Sequence, residues 1–201
     1  MRRRFPLPRQ RGLAAVEIAL MLPLLMLLLF GMIDAARALQ ANIIIVNLGR
    51  EGANLVARGG TQLETGSQDI IYALMASAPP LNMQQRGMVY ITRVMGVTSG
   101  GVTRSVVVDQ YRWDDAARNL GYRASGYAPA SRIYACPAWN AGLCSSKSRP
   151  VSTVMDGKLG DGEVVYVVET FYQFNMFMTS FAMDSLSLPT IGPDLYSMTV
   201  F

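Results

Sequence analysis

The feature that most constrains this chain is an apolar run near its N-terminus. Across residues 13–33 the only charged side chain is that of Glu17. A stretch of about 20 apolar residues is long enough to cross the hydrocarbon core of a bilayer as a helix. The sequence therefore predicts one membrane-spanning helix over about residues 13–33, surrounded by membrane lipid.

Basic residues are concentrated before this run. Five of the 18 basic residues precede Gly12 with no acid among them, which leaves 13 basic and 14 acidic residues and a net charge of −1 for the rest. Because a nucleic-acid interface needs basic residues clustered on the folded domain, we expect no nucleic-acid partner. Arginines beside a span hold their end in the cytoplasm, so we predict an inner-membrane protein with a cytoplasmic N-terminus and a periplasmic C-terminal domain. The five are Arg2, Arg3, Arg4, Arg9 and Arg11.

The helical pattern continues beyond the span. Apolar residues recur at spacings of three and four up to residue 58, which predicts an amphipathic half that lays one stripe on a globular domain. The stripe consists of Ala41, Ile45, Leu48, Gly52 and Leu55. We therefore divide the chain into a basic leader at 1–12, a long helix at 13–58 and a domain at 59–201.

The fold class that the sequence predicts is α+β, with the long N-terminal helix packed on a small antiparallel sheet. An excursion over residues 114–159 is rich in Gly, Ser, Arg and Tyr, and loops of that length are usually functional or mobile. The other expected elements are a helix near 67–77, a hairpin with strands near 88–97 and 102–113, and further strands near 163–174 and 195–201.

The residues that could carry chemistry are few. Cys136 and Cys144 lie on the predicted periplasmic side, where oxidising conditions favour a structural disulfide. The chain has no histidine, which removes the commonest general base and the commonest metal ligand. We therefore predict no enzyme activity, no cofactor and no metal site. The alternatives are an acid–base pair at Asp114 and Asp115, and a calcium site at Asp156, Asp161 and Glu163.

The sequence RGLAAVE, from Arg11 to Glu17, joins three unusual features. A basic leader ends at Gly12, the apolar helix begins at Leu13, and an acid stands at the fifth position after the glycine. A carboxylate in a membrane helix costs on the order of 3 kcal/mol at the bilayer centre, so Glu17 is expected to have a partner. If the chain is cut after Gly12, the new amine of Leu13 in one subunit would be neutralised by Glu17 of a neighbour.

Residues 11–59 resemble the TadE-like minor pseudopilins of the tight-adherence (Tad) pilus system. The resemblance implies cleavage between Gly12 and Leu13 by a prepilin peptidase, and a role in pilus assembly, priming or adhesion. It also implies other pilin-like subunits and pilus assembly proteins as partners, with the protein either retained in the membrane or incorporated into a pilus. The resembling residues are Gly12, 15–17, 22–25, 30–34, Arg37, 50–53 and the closing strand at 195–201.

Other interpretations of the N-terminus remain open. An ordinary secretory signal would be cut after Ala36, Arg37 and Ala38, although its apolar run is usually about 7–15 residues long. An uncleaved anchor would tether a periplasmic binding domain or enzyme. An adhesin whose excursion at 114–159 contacts a surface is compatible with the pilin-like interpretation.

Overall fold

The computed structural model describes residues 11–58, 63–114, 127–145, 150–177 and 192–201. Residues 1–10 of the predicted leader and the excursion segments 115–126 and 146–149 lie outside this part of the chain. Helices are α1 (Arg11–Arg58), α2 (Leu63–Ala76) and α3 (Met83–Arg86). Strands are β1 (Gly87–Ser99), β2 (Val102–Arg112), β3 (Trp139–Asn140), β4 (Leu143–Cys144), β5 (Val164–Gln173) and β6 (Asp194–Val200).

The described strands form one antiparallel sheet in the order β3-β4-β2-β1-β5-β6. With α1, it confirms the predicted α+β architecture. The β1–β2 hairpin turns at Gly100 and Gly101, which have φ values of 61° and 80°. Glycine adopts positive φ without steric cost, which explains why two glycines occupy this two-residue turn.

The predicted elements lie close to the observed ones, with three additions. The predicted helix near 67–77 is α2, which begins earlier, at Leu63. Helix α3 and the two-residue strands β3 and β4 were not predicted, because segments this short carry no periodic pattern.

Helix α1 divides into two halves with different surroundings. It runs unbroken for 48 residues through Pro23. Every side chain described from residue 15 to residue 29 is exposed, whereas the second half buries a stripe against the sheet. Four of the five predicted stripe residues are buried, and Leu55 is half-buried. The buried positions include Asp34, Ala41, Ile45, Leu48, Gly52, Ala53 and Val56.

Two glycines allow α1 to lie close to the sheet. A Cβ atom added at Gly52 would lie 2.9 Å from Leu74 Cδ1 and 3.2 Å from Val168 Cγ1. One added at Gly49 would lie 3.0 Å from the hydroxyl of Thr199. The helix backbone therefore rests almost directly on β5 and β6, and α2 packs beside it.

The excursion covers the opposite face of the sheet. Ile133, Met155 and Leu159 are buried there against sheet residues. Tyr90 on β1 also contacts Trp139, with 5.8 Å between ring centroids. The described parts of the excursion are therefore a packed layer of the domain, and the sheet has a cover on both faces. The sheet residues in this cluster are Val94, Val107 and Val167.

Substituting Gly52 by valine should loosen the contact between α1 and the sheet. Overpacking of a filled core typically costs about 1–3 kcal/mol. We expect the unfolding midpoint of the detergent-solubilised protein to fall clearly. The control is Ala57→Val, which adds the same β-branched residue at an exposed position of α1. Equal midpoints for the two variants would contradict close packing at Gly52.

Candidate functional site

The most unusual surface of the molecule is the first half of α1. We call residues 15–33 of this helix the span surface. In the part of the chain that the structure describes, α1 is the one helix long and apolar enough to cross a membrane, and none of its most apolar window is buried by the rest of the chain. Large apolar patches this exposed mark membrane or protein contacts. The span surface therefore needs lipid or other helices around it.

Glu17 lies within the span surface. Its side chain is exposed, and no described residue pairs with it. The peptide between Gly12 and Leu13 lies in the first turn of α1, one helical turn before Glu17. The structure thus puts the expected cut position and the acid next to each other at one end of the span surface. Cleavage and charge pairing themselves stay predictions.

Asp34 marks the point where α1 meets the domain. Only 6% of this residue is exposed. Its Oδ1 accepts hydrogen bonds from the Phe177 backbone N–H at 2.7 Å and from Arg37 Nη1 at 3.4 Å. The rings of Phe30 and Phe177 lie 5.8 Å apart. The end of the span surface is therefore fastened to the chain that follows β5.

A buried carboxylate holds the excursion onto the sheet. Glu169 on β5 is fully buried and accepts hydrogen bonds from the Ser131 hydroxyl and from the Arg132 backbone N–H at 2.9 Å. The hydroxyl of Tyr196 also donates to it at 3.0 Å. Burial, followed by the charge of Glu169, raises the pKa of Tyr196 well above its ordinary value. The guanidinium of Arg132 lies 3.8 Å above the Tyr196 ring.

Gln110 extends this polar cluster. Its side-chain amide nitrogen lies 2.9 Å from the Ser131 hydroxyl, 3.1 Å from that of Thr92 and 3.0 Å from the carbonyl oxygen of Tyr134. These groups join β1, β2, β5 and the excursion. Glu169 is not among the site residues predicted from the sequence. The acid inside the strand VVYVVETFYQ is nevertheless a usable signal, because a buried charge there must be paired.

The two cysteines are joined as a disulfide across the β3–β4 hairpin. Their Cα atoms are 6.0 Å apart. Leu143 in β4 pairs with Tyr111 in β2, which attaches the hairpin to the sheet edge. Trp139 in β3 lies under the guanidinium of Arg112, 4.6 Å from it. The disulfide therefore closes a small hairpin at one edge of the sheet.

The three acids considered as a calcium site each accept a hydrogen bond from a backbone N–H group instead. Asp161 accepts from the Thr98 N–H at 2.7 Å, and Glu163 accepts from the Gly160 N–H at 2.8 Å. Asp156 accepts from the Ser105 N–H at 3.3 Å. Within the described ranges, no group of three or more His, Cys, Asp or Glu side chains is placed to hold a metal ion. The suggested acid–base pair of Asp114 and Asp115 falls partly outside the described residues, because Asp115 is not among them.

Comparison with known proteins supports one segment of the chain. Residues 12–54 match a family model described as TadE-like protein. No curated protein and no solved structure gives a significant match. The match begins at Gly12 and ends four residues before the end of α1, so it covers the span surface and most of the amphipathic half. The resemblance seen in the sequence is confirmed for this helix, and it associates the chain with Tad pilus systems.

Removing the Tyr196 hydroxyl should weaken the attachment of the excursion. Loss of a hydrogen bond to a buried carboxylate should cost Tyr196→Phe about 1–2 kcal/mol near neutral pH. Because the pKa of Tyr196 is raised on folding, the unfolded chain loses this proton first, and stability falls as the pH rises above about 10. We expect a shallower alkaline fall in the variant, measured as the unfolding midpoint from pH 8 to pH 11.

The matched control is Tyr166→Phe. The Tyr166 ring stacks on Phe201, and its hydroxyl has no hydrogen bond to a described residue. This variant should keep the wild-type stability and the wild-type pH profile. Identical behaviour of the two phenylalanine variants would contradict a stabilising bond between Tyr196 and Glu169.

Proposed function

We propose that this chain, which is TadE-like over residues 12–54, is a pilin-like subunit of a Tad pilus system. In this proposal a prepilin peptidase cuts it after Gly12, and it then acts in pilus assembly, priming or adhesion as a structural protein and not as an enzyme. The observation that supports this best is the bare span surface. The second half of α1 packs on the domain, and the first half is apolar and exposed on all sides.

A second observation favours partner helices over a simple anchor. Leu39 and Ile43 are 66% and 60% exposed, although they lie in the half of α1 that packs on the sheet. At about 1.5 Å per residue, Ile43 lies about 15 Å beyond Ile33 and therefore outside the apolar layer of a bilayer. Lipid tails would not cover these residues at that height. The apolar helix of another subunit would cover Leu39 and Ile43.

The end of the span surface supports the same proposal. After cleavage, the amine of Leu13 would lie one turn from Glu17 in an apolar assembly. Two buried opposite charges compensate each other, whereas one alone leaves its partner uncompensated. Pairing between neighbouring subunits would therefore hold the helices in register. This explains why an acid is tolerated in a helix that is otherwise built for lipid.

The proposed topology places the leader in the cytoplasm and the sheet domain in the periplasm. The five leader arginines favour that orientation. A disulfide at Cys136 and Cys144 fits an oxidising space. A membrane-tethered binding domain or enzyme with an uncleaved anchor is the alternative, and the state of the N-terminus separates the two.

Cleavage after Gly12 should remove all five leader arginines. The mature chain is expected to begin at Leu13, which intact-mass and N-terminal sequencing measurements would show. Gly12→Leu should leave the leader attached, because a bulky residue would block the peptidase. Gly31→Leu is the matched control, since a Cβ at Gly31 meets no atom within 4 Å. A mature chain that begins at Leu39 would instead identify a secretory signal.

Replacing Glu17 by alanine separates an assembling subunit from an anchor. Insertion should stay normal or improve, by up to roughly 3 kcal/mol. Association should fail, because losing one side of a buried charge pair typically costs about 3–5 kcal/mol. The measurement is crosslinking of partner subunits together with pilus yield.

The control for this experiment is Glu51→Ala, which removes an exposed acid from the same helix outside the span. This variant should recover partners and pili as the wild type does. Normal partner recovery and normal pili in Glu17→Ala would sink the pairing mechanism and favour a tethered domain.

A further inference from the structure

A small cavity lies where α1 leaves the span surface. Its volume is about 140 Å³. It is formed between α1, the end of β5 and the segment that joins α2 to β1. Its lining includes Arg37, Arg86, Phe174 and Asn175.

A neighbouring side chain contacts the guanidinium of each arginine in this cavity. The guanidinium of Arg37 lies 5.6 Å from the centre of the Phe174 ring. The side-chain amide of Asn175 lies 2.8 and 2.7 Å from the two terminal nitrogens of Arg86, and once the amide is flipped its oxygen accepts from both. The two side chains are therefore oriented before any ligand binds, which lowers the entropic cost of binding.

The cavity keeps a positive charge. Its described lining contains two arginines and no acid. Asp34 lies outside this lining, but its carboxylate is 3.4 Å from Arg37 and offsets part of the charge of that arginine. The same carboxylate accepts the Phe177 N–H at 2.7 Å. Arg86 makes no salt bridge to any described residue. The planar fork of an arginine matches the oxygens of a phosphate.

The position of the cavity along the axis of α1 indicates the source of a phosphate that would bind there. Arg37 lies four residues beyond Ile33, or about 6 Å along the helix axis. The headgroup layer extends roughly 5–8 Å outside the hydrocarbon core on each side of a bilayer. If α1 spans the membrane over residues 13–33, Arg37 therefore lies at the depth of the lipid phosphates, and Arg86 lines the same cavity.

We infer that this cavity binds the phosphate of an anionic phospholipid headgroup in the leaflet next to the sheet domain. The bound lipid fixes the depth of α1 and the tilt of the domain over the membrane. The inference rests on the membrane-spanning part of the proposed function. It does not depend on cleavage or on pilus assembly.

Lipid titration of the full-length protein in detergent, followed by native mass spectrometry, tests this inference. Phosphatidylglycerol should bind more tightly than phosphatidylcholine, whose choline cation opposes the arginines. Arg37→Gln and Arg86→Gln should each weaken phosphatidylglycerol binding by about fivefold, since a basic residue near an anionic surface contributes about that factor. Arg104→Gln, at an exposed site on β2, is the matched control and should bind like the wild type.

Arg86→Lys tests the arginine fork separately from the charge. It keeps the positive charge and should show intermediate binding, and near-UV circular dichroism verifies that each variant is folded. Equal phosphatidylglycerol binding by folded wild type and folded Arg37→Gln would overturn the inference. Equal binding of the two lipids would also overturn it. So would binding of inorganic phosphate to the cavity without any preference for phosphatidylglycerol over phosphatidylcholine. Normal pili in Glu17→Ala, by contrast, would count only against the assembly proposal.

Discussion

The close packing of α1 on β5 and β6 is the contact on which the rest of the structure depends. Gly49 and Gly52 remove the side chains that would hold the helix away from Thr199, Leu74 and Val168. Because this contact uses one stripe of the second half of α1, it leaves the span surface bare and fixes its direction relative to the sheet. The hydrogen bonds of Asp34 end the contact where the apolar half begins. One unbroken helix therefore carries both the exposed apolar span surface and the stripe that packs on the sheet domain.

The elements that could be predicted from the sequence are those with a strong local pattern. The apolar run, the stripe from Ala41 to Gly52, the Gly100–Gly101 hairpin and the valine-rich β5 each carry such a pattern, and all of them occur in the structure. The packing of the excursion could not be predicted this way. Ser131 and Glu169 are 38 residues apart in sequence, and only the folded sheet brings them together. The arginine cavity is equally non-local, because Arg37 and Arg86 belong to separate helices.

The two faces of the sheet differ in what they bury. The face toward α1 is closed by aliphatic and aromatic side chains, whereas the other face combines an apolar cluster at Val94 and Val107 with the carboxylate of Glu169. A buried charge is costly unless every lone pair finds a donor. Here the donors come from the excursion and from β6, so the excursion has one position in which Glu169 is satisfied. The polar cluster thus specifies where the excursion lies on the sheet.

In the proposed pilin-like subunit, this arrangement determines how a load would pass between the sheet domain and α1. A force on the sheet domain reaches α1 through the glycine contact and through Asp34, which lie on the same side of the helix. The exposed Leu39 and Ile43 occupy a different side, so a neighbouring helix would cover them without displacing the sheet. The guanidiniums of Arg37 and Arg86 lie at the junction between these regions. An anion bound there would join the helix to the segment before β1 and stiffen the junction between the membrane-spanning part and the domain.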